Sequence, residues 1–214
     1  MAKPSLRLDN DSRLGIIVGD LLSLMALNIL WALCSIPIIT VGAASTALHS
    51  GIRCYVNRED GAAKMFLRSF KKNFSLSTLV WLPALGLLAC LALCFRIVSF
   101  FSGTARLIGI GFFTIPALLL AMILCYAFPL IARYETRWKD VVLNSLMIAI
   151  AFFPRTILIL ALNALPFVIF LLAPSTMAAL IFIWVPIGVS VTALTITGSL
   201  DKIFAKLEKE PFQK

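Results

Sequence analysis

The sequence predicts an all-α fold, a polytopic membrane helix bundle of about six spans in one domain, and three observations carry that prediction. The 214-residue chain is 61% hydrophobic and only 14% charged, with mean hydropathy +1.00. A soluble domain carries about 25% charged residues, so these charges are too few to cover a water-facing surface. Second, apolar runs close to the ~20 residues needed to cross ~30 Å of hydrocarbon recur along the chain. Third, the basic residues behind the net charge of +9 lie in the gaps between those runs. Cytoplasmic loops of membrane proteins have that bias, which accounts for the charge without a nucleic-acid partner.

Four runs are long enough outright: about 14–36, 75–97, 105–131 and 176–198. Residues 154–173 make a fifth. Residues 38–57 are the sixth, interrupted by Ser45, Thr46, His49, Ser50 and Arg53. Charge decides in its favour. If 38–57 crosses, 17 of the 19 basic residues fall on one side and only Arg96 and Arg106 on the other. The positive-inside rule then places both termini in the cytoplasm. The run from Leu14 to about Ile36 exceeds the ~7–15 residues of a signal-peptide core, so it is expected to stay as the first span.

Two connectors are expected to be helical. In "DGAAKMFLRSFKKNF" (about 60–74), Phe66, Phe70 and Phe74 recur every four residues and share one helix face. Lys64, Arg68 and Lys71 share another and Lys72 adjoins them, so this helix is expected to lie in the headgroup plane against anionic lipids at the cytoplasmic face. The second connector (about 139–153) ends at Pro154, which lacks an N–H and clashes with the preceding turn. Residues 141–172 as one helix would measure ~48 Å, so a short interfacial or half-inserted helix followed by a span is expected. The two halves also echo one another. Each has a span ending in Arg (Arg53, Arg133), a connector, and a span entered through "FSLSTL" or "FFPRTI". Duplicated units of this kind occur in transport folds.

"LCSIPIITVGAASTALHSGIRCYVNRED", followed by "MFLRSFKKNFSLSTLVWL", resembles the YesL-like family of bacterial integral membrane proteins, as does "PLIARYETRWKDVVLNSLMIAIAFFPRTILIL". The most specific parts are the turn of Pro37, Thr40 and Gly42 and the connector Phe70 to Phe74. The resemblance covers about residues 14–172. It implies a bacterial inner-membrane protein without established biochemical activity. Family members are often encoded beside sugar-uptake transporter components and polysaccharide-degrading enzymes. An accessory role in carbohydrate uptake, with transporter subunits as partners, follows from the resemblance, which supplies no catalytic residues.

The residues themselves argue against enzyme chemistry. There is one histidine and no H-E-x-x-H zinc motif, and Asp20 is the only acid within a predicted span. No serine sits in a nucleophile elbow. The five cysteines form no CxxC pair. No enzyme activity, metal or cofactor is expected. Ionisable groups within spans are costly in lipid and become the candidate positions. Asp20 is expected to pair with Arg13 or Arg53. His49, beside Thr46 and Ser50, suits an interhelical hydrogen bond or a proton-coupled role. Arg155 either snorkels to the headgroups or binds an anionic group. Asn28, Asn144 and Asn163 serve as packing glue or line a solute path.

Thr40 is expected to cap the helix that follows it. Gly42, Thr46 and Ser50 recur every four residues, as do Ala43, Ala47 and Gly51, giving two small-residue ridges that permit close helix approach. The alternative is an exposed helix start near Gly42 that binds an anionic or hydroxylated ligand from outside. Two functions follow: a non-enzymatic accessory or scaffold protein, or a small-solute (sugar or anion) transporter.

Overall fold

The computed structural model describes residues 13–172, 175, 188–190, 192–198 and 200. Six helices follow one another: α1 (Arg13–Cys34), α2 (Val41–Val56), α3 (Ala62–Val98), α4 (Gly103–Arg133), α5 (Trp138–Ala151) and α6 (Phe153–Leu172). A 3-10 turn at Ile38–Thr40 precedes α2, and the described residues hold no strand. The predicted span 176–198 lies largely outside the described residues.

The helices α3 and α4 are long and apolar enough to cross a membrane, and only 17% and 11% of their most apolar stretches are buried within the protein. Leu79, Leu82, Leu93 and Ile97 on α3 face outward, as do Leu107, Ile108, Phe112 and Ile115 on α4. Contiguous apolar surface on this scale is foreign to soluble monomers, and hydrocarbon is the solvent that suits it. The chain is a membrane protein. Two of the described helices meet the requirements of a crossing, or three if α5 and α6 count as one broken span bent by 104°.

The centre of the bundle is α2, with 11 of its 16 residues buried. Its sequence explains the placement, because both small-residue ridges are occupied by neighbouring helices. A Cβ on Gly42 would lie 2.6 Å from Trp81 Cβ and 2.9 Å from the Ser77 carbonyl oxygen on α3. A Cβ on Gly51 would meet Leu27 of α1 at 2.6 Å and the Ala62 carbonyl at 3.2 Å. One ridge therefore seats α3 and the other seats α1. Surrounded in this way, α2 can carry Thr46, His49 and Ser50 without exposing them to lipid. Around Ala47, Leu48 and Ile52 the core is completed by Leu27, Phe66 and Ala193. A second cluster joins Tyr126, Ile148 and Ile159 to Ile196 and Leu200.

Two expectations need correction here. The connector at 60–74 and the span at 75–97 form one continuous helix, α3, of 37 residues, or ~55 Å. No glycine or proline separates Phe74 from Leu79, so nothing in that stretch stops a helix. The basic segment therefore continues the membrane helix and does not lie flat on the headgroups. Phe66 is fully buried and Phe70 packs against the same core. The aromatic stripe faces protein at Phe66 and Phe70 but emerges at Phe74, and Lys64, Arg68, Lys71 and Lys72 are exposed.

Thr40 also acts differently from the expected cap. Its side chain makes no bond to the start of α2; its hydroxyl points back to the carbonyls of Cys34 (2.5 Å) and Pro37 (2.7 Å). Thr40 adopts helical φ and ψ (−93°, −4°), whereas an N-cap needs an extended backbone to aim its oxygen at the first N–H groups. The turn is fixed from outside by the Trp81 indole, which donates to Ile38 O at 2.7 Å.

Candidate functional site

The antiparallel packing of α2 and α3 sets the C-terminal end of α2 beside the first turns of α3. Three contacts mark the register: Gly42 against Trp81, Thr46 bonded to Ser77 (2.8 Å), and Ser50 bonded to Ser69 (2.7 Å). The C-terminal end of α4 closes the third side. Between the three helix ends lies an open cavity of about 340 Å³ lined by Ser50, Arg53, Cys54, Arg68, Ser69, Lys72, Asn73, Arg133, Tyr134 and Glu135, among others.

Helical spacing accounts for the lining. Arg68, Ser69, Lys72 and Asn73 occupy one face of α3, one turn apart in pairs, and Ser50 and Arg53 share the facing side of α2. Four cations (Arg53, Arg68, Lys72, Arg133) and two carboxylates (Glu59, Glu135) line the cavity. Lys72 Nζ donates to Glu135 Oε1 at 2.5 Å. That hydrogen bond, and then the lysine's charge, hold the Glu135 carboxyl below its usual range. Glu59 accepts from Asn57 at 3.4 Å. Among the described residues, neither Arg53 nor Arg68 forms an ion pair.

Hydroxyl groups lead inward from this cavity. Asn73 donates to Ser69 (3.0 Å), Ser69 pairs with Ser50, and Ser50 donates to the Thr46 carbonyl (3.3 Å). A smaller space of about 20 Å³, room for a single water, is lined by His49, Arg53, Arg133, Thr197 and neighbours. Arg53 and Arg133 line both spaces. His49 Nδ1 lies 3.2 Å from Thr197 Oγ1.

The structure brings together Arg53, Arg68 and Lys72 among the sequence-predicted positions, with Thr46 and His49 behind them. The others lie apart. Asp20 pairs with Arg58 Nη1 at 3.0 Å, not with Arg53; the side chain of Arg13, the other expected partner, lies outside what is described. Arg58 reaches it from the turn after α2, where its φ is +56°. Asn28 is fully buried and accepts from Ser190 at 2.7 Å, as packing glue does. Asn144 is exposed and Asn163 bonds its own helix at Ile159 O. Arg155 is exposed, with its guanidinium 5.9 Å from the Phe152 ring. Lys64 and Lys71 are exposed and do not line the cavity. The ligand alternative at Gly42 is overturned: Trp81, Ser77 and Phe128 cover that residue. Sequence reasoning missed Arg133, Ser69 and Glu135 as site residues. The matching positions of Arg53 and Arg133 in the two half-chains were the available signal. No group of three or more His, Cys, Asp or Glu side chains suited to a metal ion occurs among the described residues, and the five cysteines are free.

A membrane-embedded helical bundle with a cationic cavity at one end is the class that fold and site define. Residues 24–95, from α1 through most of α3, match the family described as "Protein of unknown function, DUF624". That match is consistent with the YesL-like resemblance and covers the α2 and α3 walls of the cavity but not the α4 wall. No curated protein and no solved structure matches the chain.

Proposed function

We propose that this chain is a six-span protein of the bacterial cytoplasmic membrane, with both termini in the cytoplasm, acting as a non-enzymatic accessory or scaffold component in carbohydrate uptake. The observation that carries the non-transport part is the seal around α2. Inward from Ser50, the Gly42–Thr46 ridge closes directly onto the backbone and Cβ atoms of α3. Among the described residues, the polar cavity thus meets closely packed helices at α2 and α3, whereas a permease needs a route that opens alternately to both sides. The bias of Lys and Arg supports the orientation, and the carbohydrate setting rests on the family resemblance.

The transporter reading draws on one observation, the small polar space where His49 and Thr197 lie behind Arg53 and Arg133. Purification from native membranes in mild detergent distinguishes the two. Stoichiometric co-purification of a sugar-transporter subunit is the expected result. Its absence, together with solute uptake by proteoliposomes of the pure protein, overturns the accessory role. For orientation, reporter fusions after residues 13, 65, 137 and 214 are expected to read cytoplasmic, and those after 40, 101 and 175 external. A cytoplasmic signal at 101 reverses the arrangement.

A further inference from the structure

We propose that the cavity between the ends of α2, α3 and α4 is a binding site for a phosphomonoester dianion, gripped by Arg53 and Arg68. The inference goes beyond the accessory role and holds with or without a bound transporter subunit. Among the described residues, four cations and two carboxylates line the cavity. One carboxylate, Glu135, is committed to Lys72, and neither Arg53 nor Arg68 has a carboxylate partner among the described residues. Holding guanidinium groups of like charge around one space is unfavourable unless an anion joins them. A phosphomonoester carries about −1.5 to −2 charges at neutral pH and three acceptor oxygens, a match for the two guanidinium groups of Arg53 and Arg68. Guanidinium forks bind such oxygens in pairs, and the hydroxyls of Ser50 and Ser69 stand on the same wall. A volume of about 340 Å³ is at the small end of ligand pockets, about 300–1,000 Å³. It suits one sugar phosphate or one headgroup.

The same chemistry comes from two sources, a free sugar phosphate or the headgroup of phosphatidic acid. The full-length protein in phosphatidylcholine nanodiscs separates them. Binding of glucose 6-phosphate is measured by calorimetry against glucose. In parallel, thermal stability is compared between discs doped with phosphatidic acid and discs doped with phosphatidylglycerol, a phosphodiester. Binding of glucose 6-phosphate but not glucose assigns the soluble source; stabilisation by phosphatidic acid over phosphatidylglycerol assigns the lipid. Either supports the site if Arg53→Gln and Arg68→Gln each weaken the effect about tenfold or more while Lys64→Gln does not. Arg68 is exposed, so Arg68→Gln is expected to fold normally, and Arg53→Lys tests the fork at constant charge. No response to either phosphomonoester, or an equal response after Arg68→Gln, overturns the proposal.

Discussion

The helix α3 and the pair α5–α6 start from similar sequence and end in different shapes. Each follows a helix that ends in Arg, each opens with a connector carrying basic residues, and each contains a proline. Yet α3 runs unbroken through Pro83, whereas the chain turns 104° between α5 and α6. The difference lies in what receives the released carbonyls. At the elbow, Phe152 leaves helical geometry (φ −114°, ψ 41°) and Pro154 falls in the first turn of α6, where no N–H is missed. Thr156 then donates to Ala149 O at 2.8 Å and lies 2.9 Å from the Tyr126 hydroxyl. The elbow is therefore hydrogen-bonded in place through the buried Thr156, while Phe153, Pro154 and Arg155 are themselves exposed. Both prolines are exposed, but Pro83 lies in the helix interior, and its buried neighbours Val80 and Ala84 keep α3 packed as one helix. Whether a proline breaks a helix depends on where it falls and on which side chain can replace the lost donor.

The strongest test of this contrast is the surface that keeps α3 against α2. Gly42→Val places new atoms onto Trp81 Cβ and a carbonyl of α3, neither of which can yield, and is expected to cost about 3 kcal/mol. Reversible unfolding in detergent measures it. Gly86→Ala, with nothing within 4 Å, is the control expected to change little. Equal effects would mean that α3 is not held by close approach.

A smaller effect is expected at the matched threonines of the two halves, and the signs should be opposite. Thr156→Val removes the hydroxyl that ties the elbow together and is expected to destabilise by about 2 kcal/mol. The Thr78 hydroxyl is buried without a partner, so Thr78→Val is expected to be neutral or stabilising by up to about 1 kcal/mol. Equal losses at both positions would remove the distinction drawn between the halves.

The smallest effect belongs to the pair that links α3 to the loop after α4, Lys72 and Glu135. The folded carboxyl titrates below its unfolded value, so its contribution is present above the ordinary carboxylate range, about 4.3. It is lost as pH falls through the folded value. Glu135→Gln is expected to leave neutral-pH stability almost unchanged, because the pair is exposed. By linkage, it should flatten the acid limb of the unfolding midpoint against pH by an equally small amount. A limb of unchanged slope would show that the pair contributes nothing.

The apolar helices were legible because hydrocarbon-facing residues need no partner to announce themselves. The ridges of α2 were legible too, since a four-residue period of Gly, Thr and Ser means the same thing in any context. The merging of 60–74 with 75–97 was not, because an amphipathic segment and an apolar one join without a stop signal. The period of Phe66, Phe70 and Phe74 identified an apolar face without saying that protein covers it at Phe66 and Phe70 but not at Phe74. Thr40 shows a related ambiguity, as a hydroxyl between two helices can serve either end. The cavity was legible only in fragments. Arg53, Arg68 and Lys72 stood out as charges, but their meeting with Arg133 depends on antiparallel packing of three helices, which no local pattern encodes.

The unbroken length of α3 makes it a lever. Its contact with Gly42, at Trp81, serves as a fulcrum, with about 20 Å of helix reaching to Arg68 on one side and about 25 Å to Val98 on the other. A rod swung about that point carries its far end slightly further than its near end moves, and in the opposite direction. A tilt of α3 about that contact would therefore move the cavity wall and the Val98 end in opposite directions, because one unbroken helix joins them.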